Sequence, residues 1–121
     1  MKLTEFGKVV RKARLDANVT MSDMATSLKV SSAFLSSLET GRKKIPNEWA
    51  KQISAYFQKR GIKVEELQTA ADVSNKSVSL EGLSTSHQML VAGFARATFD
   101  EDQIANLKEL LAASNTSKGS K

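Results

Sequence analysis

The sequence predicts an all-α protein with a five-helix N-terminal domain and a helical appendage at its C-terminal end. Three observations predict this fold class: apolar residues recur at helical spacing, polar capping residues precede several of these segments, and alternating apolar residues are confined to one short stretch. A length of 121 residues suits a small domain followed by such an appendage.

The composition narrows the class of protein. Hydrophobic residues make up 40% of the chain and charged residues 26%, as in a well-solvated, helix-rich protein and unlike collagenous, disordered or membrane-spanning chains. The absence of cysteine excludes disulfides and thiolate metal sites. The sequence has no secretory leader pattern and no apolar run of about 18 residues. We therefore expect a cytoplasmic protein with no membrane partner.

The first helix is predicted over residues 4–16. Asn18 follows it, and asparagine tolerates the left-handed conformation that ends a helix. Lysines and arginines occupy most of the remaining faces, which indicates a helix with one buried side. The residues on that buried side are Phe6, Val9, Val10 and Ala13.

Two short helices follow, joined by a tight turn. Thr20 and Asp23 have the spacing of a capping box, which predicts a helix start at Thr20. This helix ends near Leu28, because Ser31 offers the next N-cap only three residues later. Gly41 terminates the third helix. Because helices joined by so short a turn cross steeply, a further helix must cover their shared apolar side.

The fourth and fifth helices complete the predicted N-terminal domain. Pro46 suits the start of the fourth helix and Gly61 its end, and a shorter fifth helix is expected over residues 64–71. The residues that the fourth helix directs inward are Trp49, Ile53, Tyr56 and Phe57.

The C-terminal half has a different character. Val78 and Leu80 alternate with serines, as in a brief strand or an extended arm, and Asp100 with Gln103 has the spacing of a helix-capping pair. The patterns predict a five-helix domain at 1–71, a linker or short extended arm at 72–86, a helical association segment at 87–113 and a disordered tail at 114–121.

Charge is distributed unevenly between the two halves. Residues 1–63 contain 13 Lys or Arg against 5 Asp or Glu, whereas residues 64–121 contain 5 against 8. This asymmetry is typical of a phosphate-binding module joined to a module that does not bind phosphate. The alternative is a small helical domain with a lysine-rich, solvated face.

Three stretches of the N-terminal half carry a family pattern. They are the helix start Thr20-Met21-Ser22-Asp23-Met24-Ala25, the turn Lys29-Val30-Ser31 and residues 34–46, in which Leu38-Glu39-Thr40-Gly41-Arg42-Lys43 has the order apolar, Glu, Thr, Gly, basic. With these motifs, residues 8–57 resemble the lambda-repressor-like helix-turn-helix family, the Cro and cI or xenobiotic-response-element type of transcription regulator. The resemblance implies that the third helix enters the major groove of double-stranded DNA.

The resemblance also implies which residues contact DNA. Base edges would meet the start of the third helix, at Ser32, Ala33, Ser36 and Ser37. Phosphates would meet helix-start amides and basic side chains, at Arg11, Thr20, Met21, Ser31, Thr40, Arg42, Lys43 and Lys44. Glu39 would pair with a basic residue of the first helix, Arg11 or Arg14.

This sequence departs from the family at the base-reading positions. Family members commonly carry Gln or Arg there and Gln in place of Met21, whereas small hydroxyls and a methyl group occupy these positions here. Serine discriminates bases weakly, so part of the specificity is expected to come from DNA shape or phosphate register. A solvated helix face is the alternative interpretation of the serines.

The C-terminal segment is expected to serve association, with a homodimer favoured because such modules read paired half-sites. Its tail loosely resembles that of regulators found beside toxins or zinc-peptidase-like partners. The candidate contacts are Met89, Leu90, Phe94, Ile104, Leu107 and Leu111. Packing of the same residues onto the chain's own N-terminal helices is the alternative.

The leading hypothesis is a transcriptional repressor that controls its own operon, and an antitoxin that also binds a partner toxin is its more specific form. The rival is a protein-interaction adaptor that has lost strong base reading. His87 is the single histidine and lies in no cluster of ligating residues, so we expect neither an enzyme nor a metal or cofactor site.

Overall fold

The computed structural model of the chain describes residues 2–119, with side chains through residue 114. Seven α-helices and no strand occur within residues 2–119, which confirms the all-α class. The helices are α1 (Glu5–Ala17), α2 (Met21–Leu28), α3 (Ser32–Glu39), α4 (Asn47–Gln58), α5 (Leu67–Asn75), α6 (Thr85–Arg96) and α7 (Glu101–Gly119).

The chain forms two compact units, Met1–Ser79 and Leu80–Lys121. The first unit contains α1 to α5, and these five helices share one core. Its largest fully buried side chains are Phe6, Val10, Met24, Leu35, Leu38, Ile53, Phe57 and Leu67. All of the predicted inward residues of α1 and α4 belong to this core or pack against it.

Capping residues begin the first three helices, and Thr20 and Ser31 do so where the sequence predicts. Thr4 accepts a hydrogen bond from the Gly7 amide, and Ser31 accepts one from the Phe34 amide at 3.0 Å. The Thr20 hydroxyl accepts from the Asp23 amide while the Asp23 carboxylate accepts from the Thr20 amide, each at 3.0 Å, so the capping box is complete.

Left-handed residues end the same helices. Asn18 has a φ of 57°, which confirms its predicted position at the end of α1, and Gly41 has a φ of 81° just beyond α3. Lys29, with a φ of 60°, ends α2 and starts the turn into α3. The turn between α2 and α3 is therefore only three residues long.

The fifth helix differs from its prediction. It spans Leu67–Asn75 and Lys76 ends it in a left-handed conformation, whereas residues 64–71 were expected to be helical. Val64 and Ile62 pack against the core from the loop before α5, so their apolar character reflects burial without helix formation. The first part of the predicted linker at 72–86 is therefore helical.

The second unit contains α6 and α7. Ser84 caps α6, which begins at Thr85, and Asp100 and Gln103 exchange hydrogen bonds at the start of α7 as predicted. Helix α7 extends to Gly119, into the stretch 114–121 for which the sequence predicts a disordered tail. Residues 120 and 121 lie outside the described part of the chain.

Candidate nucleic-acid interface

The exposed start of α3 carries the predicted base-contact residues. Ser32 and Ala33 are exposed, whereas Ser36 and Ser37 are half-buried. The Ser37 hydroxyl donates to the Phe34 carbonyl at 2.6 Å, which leaves its oxygen lone pairs for an incoming donor. The first turn of α3 therefore presents small polar and methyl groups to solvent.

The opposite side of α3 is anchored in the core. Leu35 and Leu38 are each 1% exposed and Glu39 is 3% exposed. Glu39 is the buried charged residue of this unit, and the Arg14 guanidinium pairs with both of its carboxylate oxygens. This contact confirms the predicted pairing of Glu39 with a basic residue of α1 and identifies Arg14, not Arg11, as the partner.

A second contact between α1 and α3 involves the Glu39 backbone. Its carbonyl accepts hydrogen bonds from the Thr4 amide at 3.0 Å and from the Thr4 hydroxyl at 2.9 Å. A Cβ atom added to Gly7 would lie 2.2 Å from that same oxygen. Glycine is therefore required at position 7, because α1 and the end of α3 approach too closely for any side chain.

A run of exposed cations follows the end of α3. Arg42, Lys43 and Lys44 form an exposed basic loop two residues after the helix ends. The Lys43 amide donates to the Ser37 carbonyl at 3.2 Å, and its ammonium lies 5.6 Å from the centre of the Phe34 ring. Arg11 on α1 and Lys29 in the turn are also exposed.

Asn75 holds the residue that follows the basic loop. Its side-chain oxygen accepts from the Ile45 amide at 2.8 Å and its side-chain nitrogen donates to the Ile45 carbonyl at 2.9 Å. Ser74, the preceding residue, accepts from the Phe6 amide at 2.9 Å. Sequence reasoning did not identify either residue, because these bonds span 30 and 68 positions and no local pattern marks them.

Phe34 packs at the edge of the core. Its ring centre lies 5.0 Å from that of Trp49, and both side chains are half-buried. Trp49 of α4 therefore packs against the first turn of α3 through the Phe34 ring.

The start of α2 is the other predicted phosphate contact. Both the amide and the hydroxyl of Thr20 are engaged in the capping box with Asp23. The hydrogen bond from the Thr20 amide, with smaller contributions from the Thr20 hydroxyl and the charge of Arg60, holds the pKa of Asp23 below its ordinary value. A phosphate at this end would therefore meet the amides of the first helical residues, Met21 and Ser22, which have no intrahelical partner.

The hydroxyls of Ser31 and Thr40 are also engaged. Ser31 accepts from the Phe34 amide, and Thr40 donates to the Ser36 carbonyl at 2.8 Å. Both oxygens keep a lone pair, but the hydroxyl proton of Thr40 is already used. Contact between Thr40 and a phosphate would require its hydroxyl to rotate.

The predicted association residues lie in the second unit. Met89, Leu90 and Phe94 of α6 are exposed, and so are Ile104 and Leu111 of α7. In the same helix, the side chain of Leu107 is half-buried.

No group of three or more metal-ligating residues occurs within the described part of the chain, and His87 is exposed with its backbone amide bound to Ser84. None of the helices between residues 2 and 119 has the length and apolar character required to cross a bilayer. Comparison with protein-family models, curated proteins and solved structures found no match for this chain.

Proposed function

We propose that the chain is a sequence-specific DNA-binding protein in which α2, the turn and α3 act as a helix-turn-helix. One observation carries this proposal: α3 is anchored in the core on one side, exposes its first turn on the other, and is followed, after Thr40 and Gly41, by three exposed cations. A short helix held in this way is suited to the major groove, which is about 12 Å wide.

We propose two kinds of contact with DNA, one to base edges and one to phosphates. Ser32 and Ala33 at the exposed start of α3 would meet base edges, where Ala33 suits a thymine methyl group and serine can donate or accept. The basic loop, together with the exposed Arg11 and Lys29, would bind phosphates and supply most of the affinity. Because the base-reading side chains are small, DNA shape would contribute to specificity.

Such a protein acts most directly as a repressor, because a chain bound at a promoter excludes other proteins from it. We extend the proposal to control of its own operon, on the strength of the resemblance in residues 8–57. An adaptor that keeps this fold without binding DNA is the rival, and its distinguishing property is the absence of salt-dependent affinity for duplex.

The test begins with selection of bound duplexes from a random pool, followed by fluorescence anisotropy across a series of salt concentrations. Arg42→Ala combined with Lys43→Ala should weaken binding and reduce the salt slope by about 0.9 for each phosphate that is no longer neutralised. The matched control removes the same charge from elsewhere, by Lys51→Ala and Lys63→Ala. Lys51 lines a pocket with Leu67 and Gln68 of α5, and Lys63 pairs with Glu65, so neither belongs to the basic loop.

Three outcomes decide between the proposals. The adaptor would be supported if selection enriches no sequence and if the affinity for duplex does not change with salt concentration. Equal reductions in affinity in both double variants would reject the basic loop as the phosphate contact. Ser32→Ala with unchanged discrimination between enriched and scrambled duplexes would reject direct base contact at that position.

A further inference from the structure

A surface cavity lies between α2 and α4 of the N-terminal unit. Its volume is about 370 Å³, and small-molecule sites usually measure about 300–1,000 Å³. We call it the α2–α4 cavity, and the residues that line it include Ser27 and Leu28 of α2, Gln52 and Tyr56 of α4, and Lys59 and Arg60 after α4. None of these six residues belongs to the proposed DNA contacts.

The hydroxyl of Tyr56 distinguishes this cavity. Tyr56 is 5% exposed, and its hydroxyl is buried with no hydrogen-bond partner among the described residues. Buried hydroxyls normally have a partner, because burial removes the water that would otherwise bind them. Phenylalanine would fill the same space without that cost, so packing alone gives no reason for a hydroxyl at this position.

The other polar groups of the lining are mainly hydrogen-bond donors and cations. Lys59 and Arg60 are exposed and positively charged, Gln52 carries an amide and Ser27 a hydroxyl. None of the described residues that line the cavity is acidic. Such a lining favours a ligand that is negatively charged and accepts hydrogen bonds.

Arg60 covers the ring of Tyr56. The central carbon of its guanidinium lies 3.7 Å from the ring centre, and its Nη1 donates to the Tyr56 carbonyl at 3.1 Å. This hydrogen bond uses one of the five N–H groups of the guanidinium. The pKa of Asp23 is lowered mainly by the Thr20 amide and least by the charge of Arg60. The charge of Arg60 therefore remains available to a ligand.

We propose that the α2–α4 cavity binds a small organic carboxylate. Lys59 and Arg60 would pair with the carboxylate, since the planar guanidinium matches its two oxygens. The Tyr56 hydroxyl would donate to the same group once the exposed Arg60 side chain moves off the ring. The half-buried Leu28 would contact the apolar body of the ligand. The inference goes beyond the proposed function and needs no DNA binding.

The first experiment titrates the full chain with benzoate and with hexanoate. Benzamide and hexanamide are the uncharged counterparts of the same shape. At least one carboxylate should shift the backbone amide signals of Ser27 and Leu28 in NMR spectra and should raise the melting temperature. The matching amide should bind about tenfold more weakly or worse, because it cannot form the charged contacts.

The second experiment tests the lining residues with single variants. Tyr56→Phe should weaken the carboxylate by about tenfold or more without lowering the melting temperature of the free chain, because the hydroxyl has no partner in the fold. Lys59→Gln should also weaken it. Lys51→Gln is the matched control, since Lys51 lies on α4 but lines a different cavity, and it should leave the affinity unchanged.

Five results would overturn the inference. Neither carboxylate binds, or a carboxylate and its amide bind equally. Lys51→Gln weakens binding as much as Lys59→Gln does. Tyr56→Phe lowers the melting temperature of the free chain, which would show that the hydroxyl has a partner within the fold. Inorganic phosphate binds as tightly as the carboxylates, which would reduce the site to two exposed cations.

These measurements contain no DNA and are therefore independent of the proposed function. A chain that binds a carboxylate but no duplex would keep the α2–α4 cavity as a ligand site and reject the DNA contact. A chain that binds duplex but no carboxylate would do the reverse.

Discussion

The ion pair between Arg14 and Glu39 is the contact whose removal tests the architecture of the N-terminal unit most directly. Its side chains are 12% and 3% exposed, and it joins α1 to the end of α3. Removing either partner leaves the other charge largely out of water, which costs about 3–5 kcal/mol for buried pairs. Because Arg14 keeps some solvent access, we expect Glu39→Leu to cost about 3 kcal/mol.

A double-mutant cycle separates the pair from its surroundings. Arg14→Met and Glu39→Leu should each lower the melting temperature by about 12–24 °C, at about 4–8 °C per kcal/mol for a domain of this size. The combined variant should recover most of this stability, since neither charge is then left unpaired. The Glu39 carbonyl still accepts from Thr4 in all variants, so the cycle isolates the side chains.

Urea and thermal unfolding followed by circular dichroism provide the free energies. Lys8→Met is the control, because Lys8 forms an exposed pair with Glu5 at 3.5 Å and should change stability by less than about 1 kcal/mol. If the double variant is as unstable as the sum of the two single variants, the two side chains are not coupled. The ion pair would then have no part in joining α1 to α3.

Three further predictions concern the same unit. Gly7→Ala should destabilise it by about 3 kcal/mol in urea unfolding, because the new Cβ meets the Glu39 carbonyl; a gain of about 1 kcal/mol, the usual effect of this change in a helix, would contradict the close approach. Asn75→Ala should cost about 1–3 kcal/mol and weaken DNA binding with an unchanged salt slope, since it frees the Ile45 backbone without removing charge; an altered slope would contradict this. Asp23→Ala should lower the midpoint of urea unfolding, and this effect should be largest at pH values above the ordinary pKa of Asp23. The difference in midpoint from the unsubstituted chain should shrink as the pH falls through the lowered pKa of Asp23 in the folded state. A difference that grows in acid would contradict a stabilising role for the ionised carboxylate.

The sequence was informative where structure depends on neighbouring residues. The N-caps Thr20 and Ser31 and the left-handed Asn18 lie where they were predicted, because each acts on amides or carbonyls only a few positions away. The all-α class follows from the same local signals. The seven helices between residues 2 and 119 therefore needed no knowledge of tertiary contacts, apart from the limits of α5.

Tertiary contacts decided what the sequence did not reveal. In the sequence, Gly7 is an ordinary helical glycine and Asn75 belongs to the predicted linker. In the structure, Gly7 lies against the Glu39 carbonyl of α3, and the side-chain amide of Asn75 binds the Ile45 backbone. Likewise, the apolar character of Val64 indicated a helix but reflects packing of a loop on the core. In each case the cause is a partner distant in the sequence, which no periodicity or capping pattern encodes.

These distant contacts bear on how the proposed DNA contact would achieve specificity. Glu39 receives Arg14 on its side chain and Thr4 on its carbonyl, and Asn75 holds Ile45, so α3 and the basic loop are held from both α1 and α5. The Ser32 hydroxyl discriminates bases weakly. The position in which α3 is held relative to the phosphates must therefore contribute more to sequence specificity than the side chains of α3 do. A residue such as Asn75, which touches no DNA in this proposal, should then influence sequence discrimination as well as affinity. If Asn75→Ala reduces the affinity for enriched and for scrambled duplexes by the same factor, phosphate register is not the source of specificity. The serines must then contact bases directly.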